Sequence, residues 1–140
     1  MPRLPLILAV TALLASPAFA DPVRVPLDQE TTVGDVGVGC TGIGQTKDDP
    51  KWAAYPVKLE FADAQHALLA NETVRVSGPK GAVLAEVSCE GPWLLLKLPP
   101  GKRYSVEARL AEQTAAPQTA TVRAPAHGQA TFVLTFPDAH

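Results

Sequence analysis

Methionine occurs once in the 140-residue chain, at the initiator position, and histidine only three times. That scarcity excludes the Met and His clusters that soft-metal sites such as copper centres need. His66, His127 and His140 each stand without a partner motif, and no G-x-S-x-G is present, so no nucleophile and base are visible together. Basic runs are missing as well. A formal charge of −2 with no Lys/Arg cluster argues against nucleic acid and anionic membrane as partners. Beyond residue 20 there is no apolar stretch approaching the roughly 20 residues of a membrane span. Internal repeats and low-complexity segments are also absent.

What is present begins with a secretory pattern. Arg3 supplies a positive start, Leu4 to Leu14 (LPLILAVTALL) a short apolar core, and Ala18-Phe19-Ala20 an A-x-A cleavage site, which would leave Asp21 as the mature N-terminus. The expectation is a signal peptide over 1–20 and a periplasmic or secreted protein after cleavage following Ala20. The run is too short for an anchor, and losing Arg3 takes the charge from −2 to −3. About 120 mature residues suffice for one domain with its own core.

The two cysteines, Cys40 and Cys89, fit that destination, because disulfides persist in oxidising compartments. One intramolecular bridge is possible, an intermolecular bridge or two free thiols being the alternatives. It would close a long loop and contribute roughly 4 kcal/mol in the chain-entropy treatment. No histidine stands at ligand spacing from either cysteine, so a metal site built on the pair is not expected.

Cys40 lies in VGVGCTGIG (Val36 to Gly44), which also holds G-x-G-x-x-G as Gly37 to Gly42. A dinucleotide fingerprint needs those glycines to turn a strand into a helix whose N–H groups meet a pyrophosphate. Glu60 stands near where an acid for the ribose would be wanted. The intervening chain, however, carries Asp48-Asp49-Pro50 and Pro56, leaving space for one helical turn and no crossover helix. The segment reads as a glycine-rich loop tethered by the disulfide, and no cofactor is expected.

Fourteen prolines and ten glycines punctuate the rest into short elements. Residues 21–56 read as an extended N-terminal segment with the glycine-rich loop and one turn, in which Asp49 caps and Pro50 takes the first helical position. Residues 57–140 read as a sandwich domain. VKLEF, ETVRVSG, AVLAEVS, the Trp93 to Leu96 run, Tyr104 to Leu110, TATVRA and GQATFVLTF alternate or run apolar at strand length. The expected fold is all-β, an antiparallel seven-stranded β-sandwich, with Trp93 in the core of a central strand.

Ser88-Cys89-Glu90-Gly91-Pro92-Trp93 and Leu98-Pro99-Pro100-Gly101-Lys102-Arg103-Tyr104 together resemble the GPW…LPPGxY pattern of carboxypeptidase regulatory-like domains. With Cys40 to Gly44 (CTGIG), Asp49 to Trp52 (DPKW) and Ala54 to Val57 (AYPV) in order before them, the chain is similar to a group of small exported proteobacterial proteins built on that domain. The resemblance spans Gly39 to Phe136. It implies a prealbumin-like (transthyretin-like), Ig-like sandwich, a periplasmic address and no catalytic residues. The extra Arg103 departs from the pattern and predicts a bulge at the start of its strand. Transthyretin-like hydrolases carry a Y-R-G-S tail, whereas this chain ends FPDAH.

The functional expectation is a non-catalytic module that binds or supports another envelope component, a protein or a glycan. The alternative is a carbohydrate-binding module of starch-binding type, with Trp52 and Tyr55 as the candidate stacking residues. Asp48 and Asp49 are adjacent acids, too few for Ca²⁺, which takes six to eight oxygens. Asn71-Glu72-Thr73 matches a glycosylation sequon, without meaning in a bacterial protein.

Overall fold

The computed structural model describes residues 21–111 and 115–139; the signal-peptide reading and His140 lie outside them. The described chain forms ten strands. They are β1 (Val23–Val25), β2 (Gln29–Val33), β3 (Val36–Thr41), β4 (Val57–Asp63), β5 (Glu72–Ser77), β6 (Val83–Cys89), β7 (Trp93–Lys97), β8 (Arg103–Leu110), β9 (Gln118–Arg123) and β10 (Ala130–Phe136). All seven expected strands are present, as β4 to β10.

The three additional strands overturn the strand count and the loop assignment. Val36, Val38 and Cys40 are buried at alternate positions, which is strand periodicity with glycine at the positions between. Because Gly37 and Gly39 replace the polar residues that normally mark the outward face, the segment looks like a loop from composition. It is a strand in the interior of a sheet.

One sheet runs in the order β1-β6-β5-β8-β9 and the other β10-β4-β7-β3-β2. The expected purely antiparallel arrangement is also corrected, since β1 pairs β6 and β10 pairs β4 in parallel. Each of these pairs joins strands remote in the sequence, so no hairpin dictates direction. In each pair one strand, β1 or β10, sits at a sheet edge. No bulge occurs at Arg103, from which the β8–β9 register runs without a shift to Ala108. A register shift falls instead between Val76 and Ser77, where β5 meets β6.

The inner faces meet in a core that includes Leu59, Phe61, Val74, Leu94, Leu96 and Phe136. Cys40 and Cys89 are bridged, with Cα atoms 5.7 Å apart. Since β3 and β6 belong to opposite sheets, the bond crosslinks the sandwich through its core, where a pinned loop was expected.

β7 is the middle strand of its sheet and is covered on both sides. Leu94 and Leu96 face the main core, and Leu95 packs with Trp52 and Tyr55 in a second cluster. Trp93, expected in the core, is only half-buried. Its partner in register is Glu60, which places it on the outer side of the sheet.

Two short 3-10 turns, Thr46–Asp48 and Pro50–Ala54, link β3 to β4. The second forms as its sequence predicts. The Asp49 side chain accepts from the Lys51 amide at 3.0 Å, and Pro50 holds the first position. Tyr55, before Pro56, is extended and ends the turn. Among the described residues no helix is long and apolar enough to cross a membrane.

Candidate functional site

The glycine-rich segment, the Asp49 to Tyr55 turn and Trp93 meet on one surface, the outer face of the β10-β4-β7-β3-β2 sheet. Gly37 and Gly39 expose bare backbone there. A β-carbon on Gly39 would lie 2.6 Å from Trp52 Cζ3 and 3.3 Å from Tyr55 Cζ. One on Gly37 would lie 2.9 Å from Cδ of Lys97. At Gly39 nothing larger than hydrogen fits without displacing the indole, and at Gly37 the flexible Lys97 stem would have to shift, so the glycines are where the aromatic rings and the Lys97 stem lie against the strand. Gly42, at φ +116°, similarly gives way to Pro92 and Trp93. The GxGxxG spacing therefore serves close packing within a sheet, and only 3-10 turns follow it.

Polar contacts lock this layer. Trp52 Nε1 donates to the Thr46 carbonyl at 2.8 Å, and the Tyr55 hydroxyl donates to Glu30 Oε1 at 2.7 Å. Gln129, in the loop before β10, donates to the carbonyls of Trp52 and Tyr55 at 2.9 and 3.0 Å. Burial first, then the Glu30 contact, push the Tyr55 hydroxyl above its ordinary range, so it stays protonated and keeps donating.

Lysines complete the surface. Lys51 lies 4.6 Å from the Trp52 ring centroid, Lys97 4.7 Å from that of Tyr55, and Lys58 3.5 Å from that of Trp93. Lys58 also pairs with Glu60 at 3.1 Å and Lys51 with Glu30 at 3.7 Å. Depressions flank the aromatic wedge. One of about 540 Å³ beside Tyr55 is lined by Glu30, Thr32, Asp35 and Lys97. The other, about 270 Å³ beside Trp52, is lined by Asp48, Lys58, Trp93 and Gln129.

The two stacking candidates are brought together, with ring centroids 6.1 Å apart, but they are buried. Trp52 is 3% and Tyr55 2% exposed, so neither offers an open ring face to a sugar. Asp49 is a cap, and Asp48 pairs with Lys47 at 3.1 Å. His66 and His127 are exposed on separate turns. Among the described residues no three His, Cys, Asp or Glu side chains gather to hold a metal ion.

Sequence reasoning missed the lysines poised over aromatic rings and the Gln129 clamp, for which no local pattern exists. It also missed Glu72, which is wholly buried and whose carboxylate oxygens have no hydrogen-bond partner among the described residues. A signal was available for that residue: Glu72 shares the parity of Val74 and Val76 in ETVRVS, and so shares their inward face.

No family model matches the chain, and no curated protein matches it. What the site offers physically is a rigid surface of cations, acids and ring edges whose side chains are already held in place by one another.

Proposed function

We propose that the chain is an exported, non-catalytic module of carboxypeptidase regulatory-like, Ig-like type that binds another protein of the bacterial envelope. The export signal over 1–20 supplies the address, periplasmic or secreted. The observation that carries the reading is the preformed outer surface around Trp52 and Tyr55. The CTGIG, DPKW and AYPV segments, neighbours between Cys40 and Val57, and the distant GPW segment all serve this one face. A surface ordered in advance loses little conformational freedom on association, and mixed charge at the rim gives partner selection. A glycan ligand is less favoured, because the rings named for stacking are covered.

Photo-crosslinking tests this. The mature protein, carrying a crosslinking residue at exposed Thr32 beside the larger depression, is expressed in the periplasm and its adducts identified by mass spectrometry. A probe at exposed Thr121 on β9 of the opposite sheet serves as control. The expected result is a reproducible protein adduct from position 32 that is lost in Lys58→Glu/Lys97→Glu protein of unchanged fold. Equal labelling from both positions, or an adduct indifferent to those substitutions, would overturn the proposal.

A further inference from the structure

A separate feature lies at the end of the sandwich where the β2–β3, β5–β6 and β7–β8 turns meet. These turns enclose a cavity of about 460 Å³, within the range of roughly 300–1,000 Å³ usual for small-molecule sites. Its walls are apolar: Val36, Leu84, Leu98, Pro79 and Pro99 line it. Leu98 and Pro99 belong to the LPPG connection, whose φ values proline restricts, so that wall is stiff. On the other side Gly34, at φ +58°, lets the β2–β3 turn close against β6. A β-carbon there would lie 2.8 Å from the Leu84 carbonyl oxygen.

Tyr104 lines the same cavity from the core. It is only 4% exposed, and its hydroxyl makes no hydrogen bond among the described residues. The ring is what is buried; the hydroxyl is not among the buried polar atoms without a partner and opens onto the cavity. The charged residues are uneven: Lys97 and Lys102 line the cavity against a single acid, Asp35. Lys80 stands in an adjoining depression that shares Gly78, Pro79, Leu84 and Lys102. Val83 and Leu84, 51% and 37% exposed, carry the apolar wall outward to the mouth.

We infer that this cavity binds a small amphipathic anion, a carboxylate with an aliphatic body. The body lies against Leu84, Leu98 and Val36, the carboxylate takes the Lys102 ammonium group, and the Tyr104 hydroxyl donates to it. An apolar pocket with a few convergent polar groups is the arrangement that fixes both affinity and orientation, and charged acceptors strengthen each hydrogen bond they receive. Lys97 and Asp35 border both this cavity and the depression beside Tyr55, whereas Lys102 and Tyr104 do not line that depression, so the substitutions that test this inference are confined to Lys102 and Tyr104.

The test is calorimetric titration of the disulfide-bonded mature protein with octanoate, octanol and octylammonium, together with amide shift mapping. Octanoate is expected to bind at the residues around Tyr104, octanol at least about tenfold more weakly and octylammonium not at all, each factor of ten being about one charge-assisted contact. Tyr104→Phe keeps the ring in the core and is expected to weaken octanoate severalfold with an unchanged melting temperature. Lys102→Gln is expected to weaken it about tenfold and to reduce its salt dependence. Octanol binding as well as octanoate, affinities unchanged in both variants, or no octanoate-induced shifts at the cavity would each overturn the assignment.

Discussion

Trp52 Cζ3 stands 2.6 Å from the point where a β-carbon on Gly39 would be, so strand β3 and the Pro50–Ala54 turn fit only while that position carries hydrogen. The first prediction follows directly. Gly39→Ala forces apart a packed ring and a backbone inside a sheet, and overpacking of this kind destabilises by about 1–3 kcal/mol. Urea unfolding of wild type, Gly39→Ala, Trp52→Leu and the double variant should show positive coupling, the alanine being better tolerated once the indole is gone. A Gly39→Ala protein as stable as wild type would refute this account of the glycine-rich strand.

The Cys40–Cys89 bond closes 49 residues and joins the two sheets. Replacing both cysteines with alanine is expected to lower stability by about 4 kcal/mol, the chain-entropy value for a loop of this size. Both residues are fully buried, so thiols should become alkylatable only when denaturant and reductant are combined. Intact mass after each treatment checks it. Alkylation by reductant alone, with the fold retained, would contradict the crosslink's place in the core.

The Gln129 side chain ties the loop before β10 to the aromatic turn, through the Trp52 and Tyr55 carbonyls. Gln129→Ala leaves two acceptors to water and is expected to cost about 1–2 kcal/mol. Hydrogen exchange should rise at the amides of Trp52 and Tyr55 before it rises in β7. Unchanged exchange there would remove the clamp from the picture.

How much of this was legible in the sequence can be judged from these residues. Strands β4 to β10 were readable because polar and apolar residues alternate in most of them, β7 is a short apolar run, and Pro or Gly marks most of their ends. Strand β3 was not, because its outward positions are glycine, and the reason for glycine is a tertiary contact with Trp52 and Lys97 that no local rule reports. The capped turn at Asp49-Pro50 was readable, since its chemistry is local. The burial of Trp52 and Tyr55 and the half-exposure of Trp93 were not, since each depends on which side of the sheet the turn folds over.

Glu72 gives the pH dependence. It pairs in register with Cys89, is wholly buried, and neither oxygen finds a hydrogen-bond partner among the described residues. Burial pushes its carboxyl up from 4.5 to about 9. Below pH 4.5 the group is protonated folded and unfolded alike and carries no penalty. Between 4.5 and about 9 the unfolded chain releases this proton while the folded chain keeps it, so the unfolded state binds fewer protons and stability falls as pH rises. At about 1.4 kcal/mol per pH unit the loss reaches roughly 3 kcal/mol by neutrality. Glu90 slopes the other way, because the Arg24 hydrogen bond holds its carboxyl below the usual range. The clean readout is therefore the difference between wild type and Glu72→Gln, which cancels every other group. That difference should favour the variant more at each step from pH 5 to pH 8. A difference that does not change with pH would mean that the folded protein carries Glu72 ionised, against its placement in the core.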